Sequence, residues 1–316
     1  MRIPRTQVST SRRLSICALA TAYAAFVAAI SWDLVRAEGA EWNDRIVLLQ
    51  HFERGEYDHL YEGAWTAFIQ NQSLWYRAVD DCASLLGGFQ STLTLLSFGV
   101  SAIYAASVLG TSFWLLPLLF VPMQIDLFDA QIRSACAGAL LIAAFNSNRV
   151  TISILLALIS MCLHSVAALL IGLWVVAAVI DIKFRESPAS GFRALIAASI
   201  ITCGVIACLL FTSQAVNKYS TETYSGSVTV FCGAMFVLGA VATGRKRLDR
   251  QALLSLMVLL IVGAGSPLGL GVQRLLPLTM PVAAAAFLRF RDPYPMIAGA
   301  SCLVAQTYWT AKWIGW

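Results

Sequence analysis

Arg133, His164 and Arg274 are the residues most able to do chemistry in this chain, because each interrupts or opens an otherwise apolar run. A guanidinium matches phosphate oxygens in a two-pronged fashion, and an imidazole can take or give a proton near neutral pH. Ionisable groups within or beside apolar spans are costly, roughly 2.5–3.5 kcal/mol for an arginine at mid-helix on insertion scales. Such groups are retained where they serve a purpose. The ordinary alternatives stand beside this reading. Either arginine at the end of a span can snorkel to headgroups, and a lone histidine can be a satisfied packing residue.

A second set of candidates is acidic and aromatic. Ten of the 17 Asp and Glu residues fall between Asp33 and Asp81, against four arginines. Asp44, Asp58 and Glu62 lie there, and Glu222 lies much later; these four and His164 are the candidate general bases. Asp129, beside Arg133, is a candidate binding residue. Tyr57, Tyr61, Trp65 and Trp75 add aromatic rings to this stretch, for which anchoring at the lipid interface is the ordinary role. Trp42, Ile46, Leu49 and Phe52 recur at helical spacing, as do Tyr61, Trp65 and Phe68. That pattern predicts short amphipathic helices at the bilayer surface.

What must position these residues is a set of membrane helices. The chain is 59% hydrophobic and 12% charged, with a mean hydropathy of +0.73. Such a composition requires lipid. The net charge of +5 is carried mostly between apolar runs, as in cytoplasmic loops, which argues against a nucleic-acid partner. Seven of eight cysteines sit in apolar segments, and no pair has metal-ligand spacing, so packing roles and no metal or cofactor are expected.

Uncharged runs define the spans, since crossing the hydrocarbon takes about 20 apolar residues. Leu14 to Trp32 follows four arginines and reads as an uncleaved anchor, with a cleaved signal peptide as the alternative. Cys82 to Ile125 is 44 residues, long enough for two crossings joined near Leu109 to Ser112. A span fits between Arg133 and Arg149. The 31 residues from Val150 to Ile180 hold either one crossing or two short ones broken at His164. Further spans fit Ala194 to Thr212, Ser227 to Thr243, Ala252 to Gly265, Leu275 to Leu288 and Tyr294 to Thr310.

Charge decides between the two alternatives. With two crossings in 150–180, fourteen of 22 Lys and Arg fall in inner loops; with one, the Arg245 to Arg250 cluster faces outward. The positive-inside tendency favours the first. The expectation is a single all-α polytopic domain over 1–316, with about eleven transmembrane helices, the N-terminus inside, and 33–81 as an outer loop. Arg133, His164, Glu222 and Arg274 would then share the outer side.

The order of these features resembles bacterial surface-polysaccharide polymerases, in particular the EpsG-like branch of Wzy-type repeat-unit polymerases. The likeness is carried by Trp42-Asn43-Asp44, Glu56-Tyr57-Asp58 and Tyr61-Glu62 in the first loop, and by Asp129-Ala130-Gln131-Ile132-Arg133 opening a helix. Ser160-Met161-Cys162-Leu163-His164-Ser165 closing a span and Gln273-Arg274-Leu275 opening a late one complete it. The first loop departs from the pattern in its displaced tyrosine, and Val166 stands where a small polar residue is usual.

The resemblance implies a multi-pass protein of the bacterial inner membrane that polymerises polyprenyl-diphosphate-linked repeat units at its outer face, where Tyr57, Tyr61, Trp65 and Trp75 would be candidates for stacking on sugar rings. Its partners would be a lipid-linked glycan donor and acceptor and the surrounding lipids, and a chain-length regulator is left open as a further one. A lipid-linked oligosaccharide flippase, an O-antigen ligase and a polyprenyl-phosphate-sugar transferase are the alternatives. Against a transporter, no internal repeat is evident.

Overall fold

The computed structural model describes residues 10–29, 73–111, 113, 116–120, 122–129, 131–147, 149–164, 166–184, 190–215, 232–233, 236–237, 240, 248–268, 270, 275, 278–279 and 304. All regular structure among them is helical. In chain order the helices are α1 (Thr10–Ala29), α2 (Ser73–Leu86), α3 (Phe89–Thr111), α4 (Leu116–Leu119), α5 (Pro122–Asp129), α6 (Ile132–Asn146), α7 (Val150–Leu163), α8 (Val166–Lys183), α9 (Ser190–Ala215) and α10 (Arg250–Gly265), which a 3-10 turn over Ser266–Leu268 extends.

Among the described residues, Thr10–Ala29, Phe89–Gly110, Val166–Lys183, Gly191–Leu210 and Arg250–Leu268 are long and apolar enough to cross a membrane. Their outward faces are as apolar as their packed ones. On α8, Leu170, Leu173, Ala177 and Ile180 are buried while Val175, Val179 and Ile182 are exposed; on α7, Val150, Ile154, Leu155 and Leu158 are exposed. Apolar surface this continuous is not left to water. The chain is a multi-pass membrane protein.

The helices form two compact units, one of 1–120 with 124–165 and one of 121–123 with 166–316. In the first, α1 packs along α3 through Ala20, Tyr23, Ala24 and Val27. α2 lies against α3 as an amphipathic helix, with Trp75, Val79 and Ala83 buried at intervals of four and Arg77 and Asp81 exposed. The amphipathic helices expected around Trp42 to Phe52 and Tyr61 to Phe68 lie outside the described residues. In the second unit α10 is the central element, buried along most of its length and packed on α8 and α9. α9 carries Ala194, Ala198, Thr202 and Ile206 as a buried stripe of four-residue period.

The run from Cys82 to Ile125 differs from expectation. It holds one span-length helix, α3, followed by the short α4 and α5 instead of a second long helix. Pro117 and Pro122 account for the interruption, since proline has no amide hydrogen to continue a helix and is accommodated in a first turn. Aromatic packing holds these short pieces in place. The Tyr23 hydroxyl donates to the Leu119 carbonyl at 2.6 Å, at the end of α4. Tyr23 meets the rings of Phe120 and Phe128 at 5.3 and 6.2 Å, and Tyr104 of α3 meets Phe128 at 5.0 Å. The 150–180 run does break where expected: α7 ends at Leu163 and α8 begins at Val166.

The cysteines depart from a pure packing role. Cys136 and Cys232 are buried, but Cys17, Cys203 and Cys208 are exposed on membrane-crossing helices, where a small thiol is compatible with lipid. Cys232 also marks a close approach: a Cβ added at Gly263 of α10 would stand 3.2 Å from the Cys232 Cβ. Small residues let membrane helices come this near. Gly263→Val should destabilise the protein by about 1–3 kcal/mol through overpacking, read as a lower thermal midpoint in detergent. An equally bulky change at Gly172, where an added Cβ meets nothing within 4 Å, should be nearly neutral.

Candidate functional site

Arg133, His164 and Trp75 are the candidate residues whose side chains lie among those described, and all three belong to the first unit. Arg133 is the second residue of α6. Its neighbours Ile132, Ser134, Ala135 and Cys136 are buried, which fixes this end of the helix while the arginine itself is half-buried. Gln131 is the N-cap and supplies no side-chain hydrogen bond to it, although its carbonyl accepts the Ala135 N–H at 3.0 Å. The first-turn amides of α6 therefore add their partial positive charge to the guanidinium.

His164 caps the other helix of the hairpin. Its backbone is extended, with φ −153° and ψ 131°, and its N–H donates to the Ser160 carbonyl at 3.1 Å. The chain thus leaves α7 at the histidine and re-enters helix two residues later. The imidazole, half-buried, stands at the mouth of the hairpin.

Two serines set how α6 and α7 are aligned. The Ser160 hydroxyl donates to the Ala137 carbonyl at 2.8 Å, and seven residues along, the Ser153 hydroxyl donates to the Ala144 carbonyl at 2.8 Å. Equal steps in opposite directions mean an antiparallel pair in constant register. Four residues beyond the first rung, about 6 Å at the helical rise, come Arg133 on one helix and His164 on the other. Both are one turn from a residue facing the partner helix. The structure therefore brings the arginine and the histidine to the same level at the same end of one hairpin.

Both helices are short for a membrane layer. With 15 and 14 residues, α6 and α7 are about 22 and 21 Å long, roughly 8 Å short of a 30 Å hydrocarbon layer. The turn between them carries the exposed Arg149, a residue suited to one membrane boundary. A guanidinium and an imidazole at one level can engage an anion and a proton together.

The other candidates are not assembled here. Asp129 is the last residue of α5, and its side chain is outside the described set. Asp44, Asp58, Glu62, Tyr57, Tyr61, Trp65, Glu222 and Arg274 lie outside the described residues. Trp75 is corrected: at 3% exposure it packs within the first unit and cannot stack on a sugar in this arrangement. Among the described residues no group of three or more His, Cys, Asp or Glu could hold a metal ion.

Sequence reasoning missed two buried polar side chains close to this region. Tyr104 and Gln124 are fully buried, and among the described residues neither the tyrosine hydroxyl nor the glutamine Nε2 has a hydrogen-bond partner. Tyr104 lies within electrostatic reach of Cys136, one turn along α6 from Arg133. Gln124 is one turn from Phe128, the ring that Tyr104 contacts. The signal was a polar residue inside an apolar run, which for tyrosine and glutamine is too common to single out.

No family model, curated protein or solved structure matches this chain.

Hydrogen bonds between membrane helices average about 0.6 kcal/mol each. Ser160→Ala should cost about that much in equilibrium unfolding from mixed micelles, and Ser153→Ala the same. The double variant should be additive, because the two rungs share no partner.

Proposed function

We propose that this chain is a membrane glycosyltransferase that polymerises polyprenyl-diphosphate-linked oligosaccharide repeats. In this reading it is an eleven-span protein of the bacterial inner membrane with its N-terminus inside, and the Arg133 and His164 end of the α6–α7 hairpin opens to the outer side. The reading rests on the sequence resemblance. The single structural observation that supports it is the serine-set register, which puts a cation and a titratable base at one level of the hairpin.

The chemistry follows from those two groups. An acceptor sugar hydroxyl attacks the anomeric carbon of the donor glycan, a new C–O bond forms, and the bond from that carbon to the diphosphate oxygen breaks with its electron pair. Negative charge gathers on the departing lipid diphosphate. Arg133 and the first-turn amides of α6 stabilise it where water is scarce. His164 accepts the hydroxyl proton as the bond forms. Arg274 enters as a second cation on the leaving group, and Asp44, Asp58, Glu62 and Glu222 as further candidate bases. Asp129, Tyr57, Tyr61 and Trp65 enter as contacts to the sugars. No nucleotide sugar and no metal takes part in this scheme.

The test uses the purified full-length protein with a defined polyprenyl-diphosphate-linked repeat, with product length read on a gel. Longer oligomers are expected from the wild type. Arg133→Ala should reduce the rate by at least a hundredfold, in line with losing one preorganised donor, and His164→Ala by 10²–10⁴-fold, in line with losing a general base. Arg133→Lys should recover only part of the loss, because a lysine cannot supply the bidentate fork. Normal product lengths from both alanine variants would overturn the assignment. Movement of intact repeats across the membrane without elongation would favour a flippase.

A further inference from the structure

α3 buries a run of hydroxyls, and they are not all satisfied. Thr92, Ser97, Ser101 and Tyr104 lie on this helix at 1% exposure or less. Ser97, Ser101 and Tyr104 follow one another at intervals of four and three residues, so they form one stripe about 10 Å long. A serine or threonine in a helix has an acceptor within reach, the carbonyl one turn earlier. Thr92 takes that bond to Gly88 at 3.0 Å, and Ser101 takes it to Ser97 at 2.6 Å. Ser97 does not: among the described residues its hydroxyl has no partner. Tyr104, whose hydroxyl stands at the far tip of a ring, has none either.

A third such group lies beside the tyrosine. The Tyr104 ring meets Phe128 of α5 at 5.0 Å, and Gln124 stands one turn before Phe128 on the same helix. Residues so spaced are about 5–6 Å apart at their Cβ atoms, which brings the carboxamide and the phenol to one part of the first unit. Gln124 is 1% exposed, and its Nε2 has no partner among the described residues. A buried donor without an acceptor is costly, and folded proteins leave few of them. The amide needs an acceptor, while each hydroxyl can both donate and accept. Water meets both needs and, when buried, makes about three hydrogen bonds to groups of this kind. Leu93, Val100, Ala105 and Val108 of α3 are buried too, so the partner has to be small.

We propose that the Ser97, Ser101 and Tyr104 stripe of α3 and the Gln124 carboxamide of α5 bind internal water. At one end the water accepts from the Gln124 Nε2 and bridges it to the Tyr104 hydroxyl; at the other it answers Ser97. The bridge ties the short α5 to the span-length α3, which ring packing alone does not do through hydrogen bonds. The site lies in the first unit and stands whether or not the chain transfers sugars.

The experiment exposes the full-length protein in nanodiscs to a brief synchrotron X-ray pulse, which turns water into hydroxyl radicals where it stands, and reads oxidised residues by mass spectrometry. Tyr104 should be labelled despite its burial. Tyr23 is the internal control, since it is also buried but gives its hydroxyl to the Leu119 carbonyl; Tyr104 should be labelled at least threefold more. Gln124→Met should reduce Tyr104 labelling by a similar factor. In thermal unfolding Tyr104→Phe should lower the midpoint by about 2 °C or more, because it strands the groups that share the water. Adding Gln124→Met should then cost less than it does alone. In a dry interior the sign reverses: Tyr104→Phe removes an unpaired hydroxyl and leaves the midpoint unchanged or raised. That outcome, or Tyr104 labelling no greater than that of Tyr23, would overturn the proposal. The labelling of the wild type carries the test if the variants do not fold.

Discussion

Two hydroxyl-to-carbonyl bonds govern this protein's most informative region. Without water in the hydrocarbon layer, a serine side chain must find its acceptor on its own helix or on a neighbour. Ser153 and Ser160 find theirs across the hairpin, on Ala144 and Ala137. Other serines and threonines in the bundle bond backward along their own helix, as Ser101 does to Ser97 and Thr202 to Ala198. Those bonds satisfy a hydroxyl but align nothing. Only a cross-helix bond fixes one helix's height against another's, and here that height decides whether Arg133 and His164 meet at one level.

The buried aromatic cluster has a complementary role. α4 and α5 are too short to be stable by helix formation alone, since isolated helices under a dozen residues are marginal even in favourable sequences. They are held by Tyr23, Phe120, Phe128 and Tyr104, with the Tyr23 hydroxyl satisfying a carbonyl at the end of α4. Because α5 leads directly into α6, the position of Arg133 is inherited from this cluster. Among the described residues the Tyr104 hydroxyl beside it has no hydrogen-bond partner, while its ring packs on Phe128.

Much of the helical framework was legible because charge is scarce and its positions are therefore informative. Arg133, Arg149 and Lys183 bracket helices close to where they form, and His164 marks the break because an imidazole is out of place within a continuous apolar helix. What was illegible depended on shape. The length of the Cys82 to Ile125 run suggested two crossings, but Pro117 and Pro122 divide its second half into short helices. Trp75 looked like a sugar platform because an indole in a polar segment suits both an interface and a core, and only the packing of α2 distinguishes them. The level match of Arg133 with His164 is invisible to residue counting, since it requires knowing which serine reaches which carbonyl.

Two arginines in this chain show that the same charge takes different forms according to what surrounds it. Arg133 is half-buried at the mouth of a hairpin, in the first turn of α6, with Ile132, Ser134 and Ala135 buried beside it. A preorganised cation of this kind loses little entropy on engaging an anion and can discriminate a charge that develops during a reaction. Arg250 is exposed and steadied by a single indole face, which is a broad and tolerant contact. The contrast follows from what surrounds each guanidinium: buried neighbours along the helix beside one, a single ring face beside the other.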